Sequence, residues 1–135
     1  MTQIEGTNRE FLELLKGLEA IKGVKGKSFA LLTARNIMSL TKHLKPIEKI
    51  ARPTTEFQKV SEKAHAFAEA EDTDGIKKLE DDNKELIEQR KEQLEKVEKM
   101  LDENSKVKVN LIREELVPDE VTPELILPLL KIIKE

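Results

Sequence analysis

The sequence contains no cysteine, no tryptophan and no tyrosine, and only four phenylalanines. Without cysteine there is no disulfide, no thiolate nucleophile and no cysteine-based zinc site. With so few aromatic rings, a recognition surface built on base stacking or aromatic hot spots is not expected. No apolar run approaches the roughly 18 residues that a membrane-spanning helix needs. The start, Met1-Thr2-Gln3-Ile4-Glu5-Gly6, has neither a basic segment nor an apolar one of the signal-peptide kind. The expectation is a soluble, intracellular protein with no membrane partner.

What the chain has in abundance is charge. Hydrophobic and charged residues each make up 38% of the 135 residues, a balance that suits long helices with solvated faces. One domain is expected at this length. The net charge is −3, but the charges are unevenly placed. Residues 16–63 carry eleven Lys or Arg against four Glu, whereas residues 64–135 carry twelve against twenty acidic groups. Two solvated helix faces that differ by chance or attract each other within the fold account for this most simply. The sharper alternative is a basic surface for an anion or an acidic partner.

Hydrophobic spacing predicts a first helix over 7–22. Thr7 and Glu10 have capping-box spacing, and Phe11, Leu14, Leu15, Leu18 and Ile21 share one face. Gly23 and Gly26 end this helix, and Ser28 is a cap for the next. A long bent helix is expected over 28–70, with kinks near Pro46 and Pro53, because its apolar phase continues through Ile50, Phe57, Val60, Ala64 and Phe67. Thr73 or Asp74 then caps a long amphipathic helix over 75–104. Its apolar positions Ile76, Leu79, Leu86, Leu94, Val97 and Leu101 fall near three-four spacing, interrupted by Asn83 and Arg90.

The period changes after Ser105. Lys106-Val107-Lys108-Val109-Asn110-Leu111 alternates polar and apolar, which predicts a half-buried strand over 106–112. Thr2 to Glu5 is the only other, weaker strand candidate. Thr122 as cap and Pro123 as first helical residue begin a last apolar helix over 122–134, which Pro128 should bend or shorten. The expected fold is mainly α: an elongated hairpin or bundle of long helices in a single domain, 1–135, with one short strand and a C-terminal apolar helix.

The stretch LLKGLEAIKGVKGKSFALLTARNIMSLTKHLKPIEK, with its Lys-rich turn and its segment Thr33-Ala34-Arg35-Asn36-Ile37, resembles the opening of a family of small tailed-phage proteins of unknown function. The tail VKVNLIREELVPDEVTPELILPLLKIIKE resembles their ending, a short strand leading through a proline-containing segment to a last apolar helix. The two stretches cover about half of the chain. The resemblance implies a helical fold, a phage or prophage origin and hence a bacterial cytoplasm. It implies no activity and no residue roles.

No catalytic constellation can be assembled. His43 and His65 are the only histidines. His65 has Glu62 and Glu69 on its face but no further ligand, so a surface ion pair is expected rather than a metal site. His43, between Lys42 and Lys45, belongs to a basic face. Asp81-Asp82 and Glu71-Asp72-Thr73-Asp74 lie at a turn or in first helical turns, where acids favour the macrodipole. The serines lack a nucleophile-elbow context. The turn at Gly23 and Gly26 follows no strand, so it is not a phosphate loop of the strand–loop–helix kind. Lysines around that turn and a helix start beyond it can still hold an anion. The stripe Arg35, Lys42, Lys45, Lys49 and Arg52 can track a nucleic-acid backbone, but nothing reads a groove, and sustained nucleic-acid binding is not expected.

The function expected is therefore non-enzymatic: a phage-type helical protein that binds a host or virion protein or assembles with itself, with no cofactor and no metal. One alternative is an anti-defence sponge for an anionic cyclic nucleotide, with Lys25, Lys27 and Arg35 on the phosphates and Phe29 available for stacking. A second is a virion or assembly component. Self-association is expected from a strand without a convincing partner and a surplus of apolar surface in the tail. A homodimer or higher even oligomer would place Val107, Val109, Leu129 and Ile133 at the contact.

Overall fold

Strand β1 is Thr2–Thr7, and it pairs antiparallel with β2, Asn104–Val109, in the computed structural model, which describes residues 1–135. The register runs from Thr2 opposite Val109 to Thr7 opposite Asn104. It sets Ile4 against Val107, both buried, and Glu5 against Lys106, whose charges meet at 3.0 Å on the exposed face. The expected strand thus has a partner in its own chain, and the argument for self-association from an open strand falls. The strand is also shorter than 106–112, since Ile112–Arg113 is a separate strand, β3, paired in parallel with β4, Ile133–Lys134.

Helix α1, Asn8–Ala20, begins where expected. The Thr7 hydroxyl accepts from the Glu10 backbone N–H at 3.1 Å, which satisfies an otherwise orphan donor. Its inward face is Phe11, Leu14 and Leu18, followed by Ile21, all buried. Gly17 lies on that face for a steric reason. A Cβ there would come within 2.9 Å of Pro128, so the C-terminal segment can approach α1 only over a glycine. Gly26, at φ +136°, makes the turn into α2, Lys27–Ala51. Ser28 is inside α2 rather than its cap.

The long helix expected over 28–70 is two helices. Pro46 sits within α2 without ending it, but the chain leaves the helix at Arg52 and Pro53. A proline disfavours helical geometry in the residue before it. Thr54 then starts α3, Thr55–Glu69, by accepting from the Phe57 N–H at 3.2 Å. The helix expected over 75–104 is also two: α4, Thr73–Asp82, and α5, Lys84–Asp102. Asn83 separates them. Its amide donates to the Leu79 carbonyl at 2.8 Å, the local competition with helical bonding that this residue type favours. Asp72, not Thr73 or Asp74, caps α4, through the Gly75 N–H at 2.9 Å.

Thr122 and Pro123 do begin a helix, but α6 is only Pro123–Ile126. A 3-10 helix, Leu127–Ile132, follows in place of the α-helix expected to 134. Pro128 has no N–H to return to the preceding turn, so the chain tightens there.

The fold is mainly helical, with six α-helices and four short strands. The chain clusters into two compact units, one made of Met1–Pro46 with Met100–Glu135 and the other of Ile47–Lys99. The first has a genuine core, in which Phe11, Leu18, Ile21, Phe29, Leu40, Val109, Ile112, Leu129 and Ile132 are almost wholly covered. In the second only Ile47 and Val97 are buried, and α3 and α4 bury no residue at all. No helix is long and apolar enough to cross a membrane.

Candidate functional site

Two polar side chains of α2, Asn36 and His43, make hydrogen bonds to the segment of β2 and the residue after it, which the apolar spacing alone did not reveal. Asn36, fully buried, closes the end of β2: its Oδ1 accepts from the Asn110 N–H at 2.7 Å, and its Nδ2 donates to the Asn110 carbonyl at 2.9 Å. Two turns further along, His43 faces the other end of the strand. Its Nε2 lies 2.9 Å from Asn8 Oδ1 and 3.0 Å from Ser105 Oγ, and its ring meets Phe11 edge to face, with centroids 5.6 Å apart.

The proton positions in this cluster follow from Asn8. Its Nδ2 donates to the Met100 carbonyl at 2.8 Å, which turns Oδ1 toward Ser105 and His43. Two donors therefore converge on Oδ1, the Ser105 hydroxyl and the imidazole Nε2–H. Serine beside histidine suggests a nucleophile and its base, but the roles are reversed here. Nε2 donates, the serine proton goes to an amide oxygen, and no carboxylate orients Nδ1. The cluster ties α1, α2 and β2 together. Burial holds the His43 imidazole below the ordinary histidine pKa.

His43 has a second side. It lines a surface concavity of about 530 Å³ together with Ser39 and Lys42 from α2, Lys106, Val107 and Lys108 from β2, and Met1. Lys106 and Lys108 are here because β2 alternates, sending Val107 and Val109 inward and the lysines outward. No carboxylate lines this concavity. His43 is thus not simply a member of a solvated basic stripe but the half-buried floor of a basic hollow.

The anion contacts expected from sequence do not come together. Lys25 is exposed in the turn before α2 and Lys27 at its first residue, and Arg35 is exposed about 12 Å further along the helix axis at 1.5 Å per residue. Phe29 is 2% exposed, a core residue with no face left for a base. The expected interface residues are displaced as well. Val107, Val109 and Leu129 are buried inside their own chain, and Ile133 is half-buried in the pairing with Ile112. The tail's surplus apolar surface is real but lies on other residues, Leu127 and Leu130, which are exposed. His65 is exposed and pairs with Glu69 at 3.1 Å, as its spacing predicts. No group of three or more acidic or histidine side chains converges in a way that could hold a metal.

In the unit Ile47–Lys99 the geometry is of another kind. Phe57, Val60 and Phe67 on α3, Ile76 and Leu79 on α4, and Leu86 and Ile87 on α5 are all half-covered, and Leu94 is 46% exposed. Arg90 of α5, which interrupts the stripe in sequence, lies over the Phe57 ring at 5.8 Å and covers part of it with a cation–π contact. The apolar stripe is formed but not closed.

No family model, no curated protein and no solved structure matches this chain.

Proposed function

We propose that this chain is a non-enzymatic helical interaction protein of tailed-phage type, which acts in the bacterial cytoplasm through a protein partner or further copies of itself. The observation that carries this is the apolar stripe of Ile47–Lys99. Its helices are amphipathic, yet of their apolar side chains only Ile47 and Val97 are buried. A monomeric helical unit of this size gains most of its stability from a closed apolar face. Each half-covered Phe, Leu or Ile still has on the order of 1 kcal/mol to gain from full coverage. An amphipathic partner helix laid along the stripe supplies that coverage. In this reading α3, α4 and α5 complete an elongated hairpin or coiled-coil-like bundle with the helices of the partner. The resemblance of both ends of the chain to small tailed-phage proteins supports the phage assignment.

Sedimentation velocity at micromolar concentration tests it. Copies that cover one another give a mass that is a multiple of 15.4 kDa. Capture of a host or virion protein by the tagged chain, lost in Leu94→Asp, gives the heterologous form. A monomer that captures nothing from infected cells refutes the proposal.

A further inference from the structure

The basic hollow between α2 and β2 is built from the first unit alone and is independent of the apolar stripe. We propose that it binds a small, multiply charged phosphate-bearing ligand, held by Lys42, Lys106 and Lys108 beside the His43 ring. Lysine ammonium groups bind phosphate as point charges, and three of them on two elements suit an anion of more than one charge. Lys42 and Lys108 form no ion pair, and Lys106 is engaged only by the exposed Glu5 at 3.0 Å, a contact that a bound phosphate can displace. The imidazole is preorganised: Nε2 is fixed by Asn8 and Ser105, while Nδ1 has no hydrogen bond within the protein. Ser39 adds a hydroxyl at the wall. The hollow is a wide, open depression and not an enclosed cavity, which suits a ligand held by its charges and not by burial. It contains no aromatic face except the edge of His43, so the phosphate groups and not a stacked ring are what it recognises.

Titration calorimetry with sodium pyrophosphate at low ionic strength, combined with NMR of the histidine rings, tests the site. Because His43 and His65 are the only histidines, His65 is an internal control on the other unit. The expected result is saturable binding that weakens with added salt and shifts the His43 ring signals while those of His65 stay in place. Lys42→Gln and Lys108→Gln should each weaken binding roughly tenfold, the loss typical of one charge-assisted hydrogen bond. The double variant Lys77→Gln, Lys78→Gln on exposed α4 changes net charge as much as Lys42→Gln with Lys108→Gln and should bind like the wild type. Absence of saturable binding overturns the proposal. So does an equal shift of both histidines, or an equal loss in the α4 control, because either means unspecific attraction.

Discussion

Replacing Asn36 by alanine isolates a buried contact between α2 and the residue that follows β2. The side chain is fully buried and makes both of its bonds to the backbone of Asn110, at 2.7 and 2.9 Å. Alanine leaves that N–H and that carbonyl without a partner, at about 1–3 kcal/mol each. Asn110 is itself only half-buried, so water can reach part of what is exposed, and the lower half of that range applies. A small void adds a fraction more. The expected loss is about 3 kcal/mol. At about 2.1 cal/mol/K of unfolding entropy per residue, this lowers Tm by roughly 10 °C if the chain unfolds as a whole. Thermal and urea denaturation followed by circular dichroism give the number, and amide exchange gives the location: the Asn110 N–H should lose its protection. A Tm within about 2 °C of the wild type with Asn110 still protected would mean that the pair is not what holds α2 on β2.

Thr33 is 3% exposed and its hydroxyl has no hydrogen-bond partner, so Thr33→Val should be neutral or stabilise by about 1 kcal/mol, and a clear loss in urea denaturation would reveal a missed partner. Burial keeps His43 neutral in the fold at a pH where the unfolded chain, near its ordinary value of 6.5, already binds the proton. Stability due to this group is therefore complete above about pH 6.5 and is lost as pH falls through the lower, folded value. The urea midpoint of the wild type should drop between pH 8 and pH 5.5 more than that of His43→Gln, and equal drops would refute the assignment. Val97→Asp should cost several kcal/mol, because Val97 is buried. The same change at Leu94, which was expected in the same seam but is 46% exposed, should leave thermal stability nearly unchanged and act on association instead.

Local chemistry was legible in the sequence wherever a few neighbouring residues decide the outcome. The Thr7 cap, the Thr122-Pro123 helix start, the alternation of β2 and the Glu69 partner of His65 each depend on spacing within one turn or one strand. So did the mainly helical class, which follows from apolar period and abundant charge. The helix breaks were half legible. Pro53 and Asn83 were visible as interruptions, but a continued apolar phase cannot distinguish a bend from an end, since the phase survives a break of a few residues.

What only the tertiary structure decided is which distant groups meet. The sequence by itself set β2 as a strand that needs a partner, but β1 is about a hundred residues away, and its short, weak pattern became a strand only because pairing satisfies the backbone of both. Asn36 carried no structural expectation in the sequence, and His43 read as part of a basic face. They sit inward because Asn110, 74 residues away, and Ser105, 62 residues away, present groups that must be hydrogen-bonded when covered. Phe29 looked available to a ligand and is core. Lys42, Lys106 and Lys108 form one hollow because that packing places α2 beside β2, and periodicity within a single helix or strand carries no information about the element lying next to it.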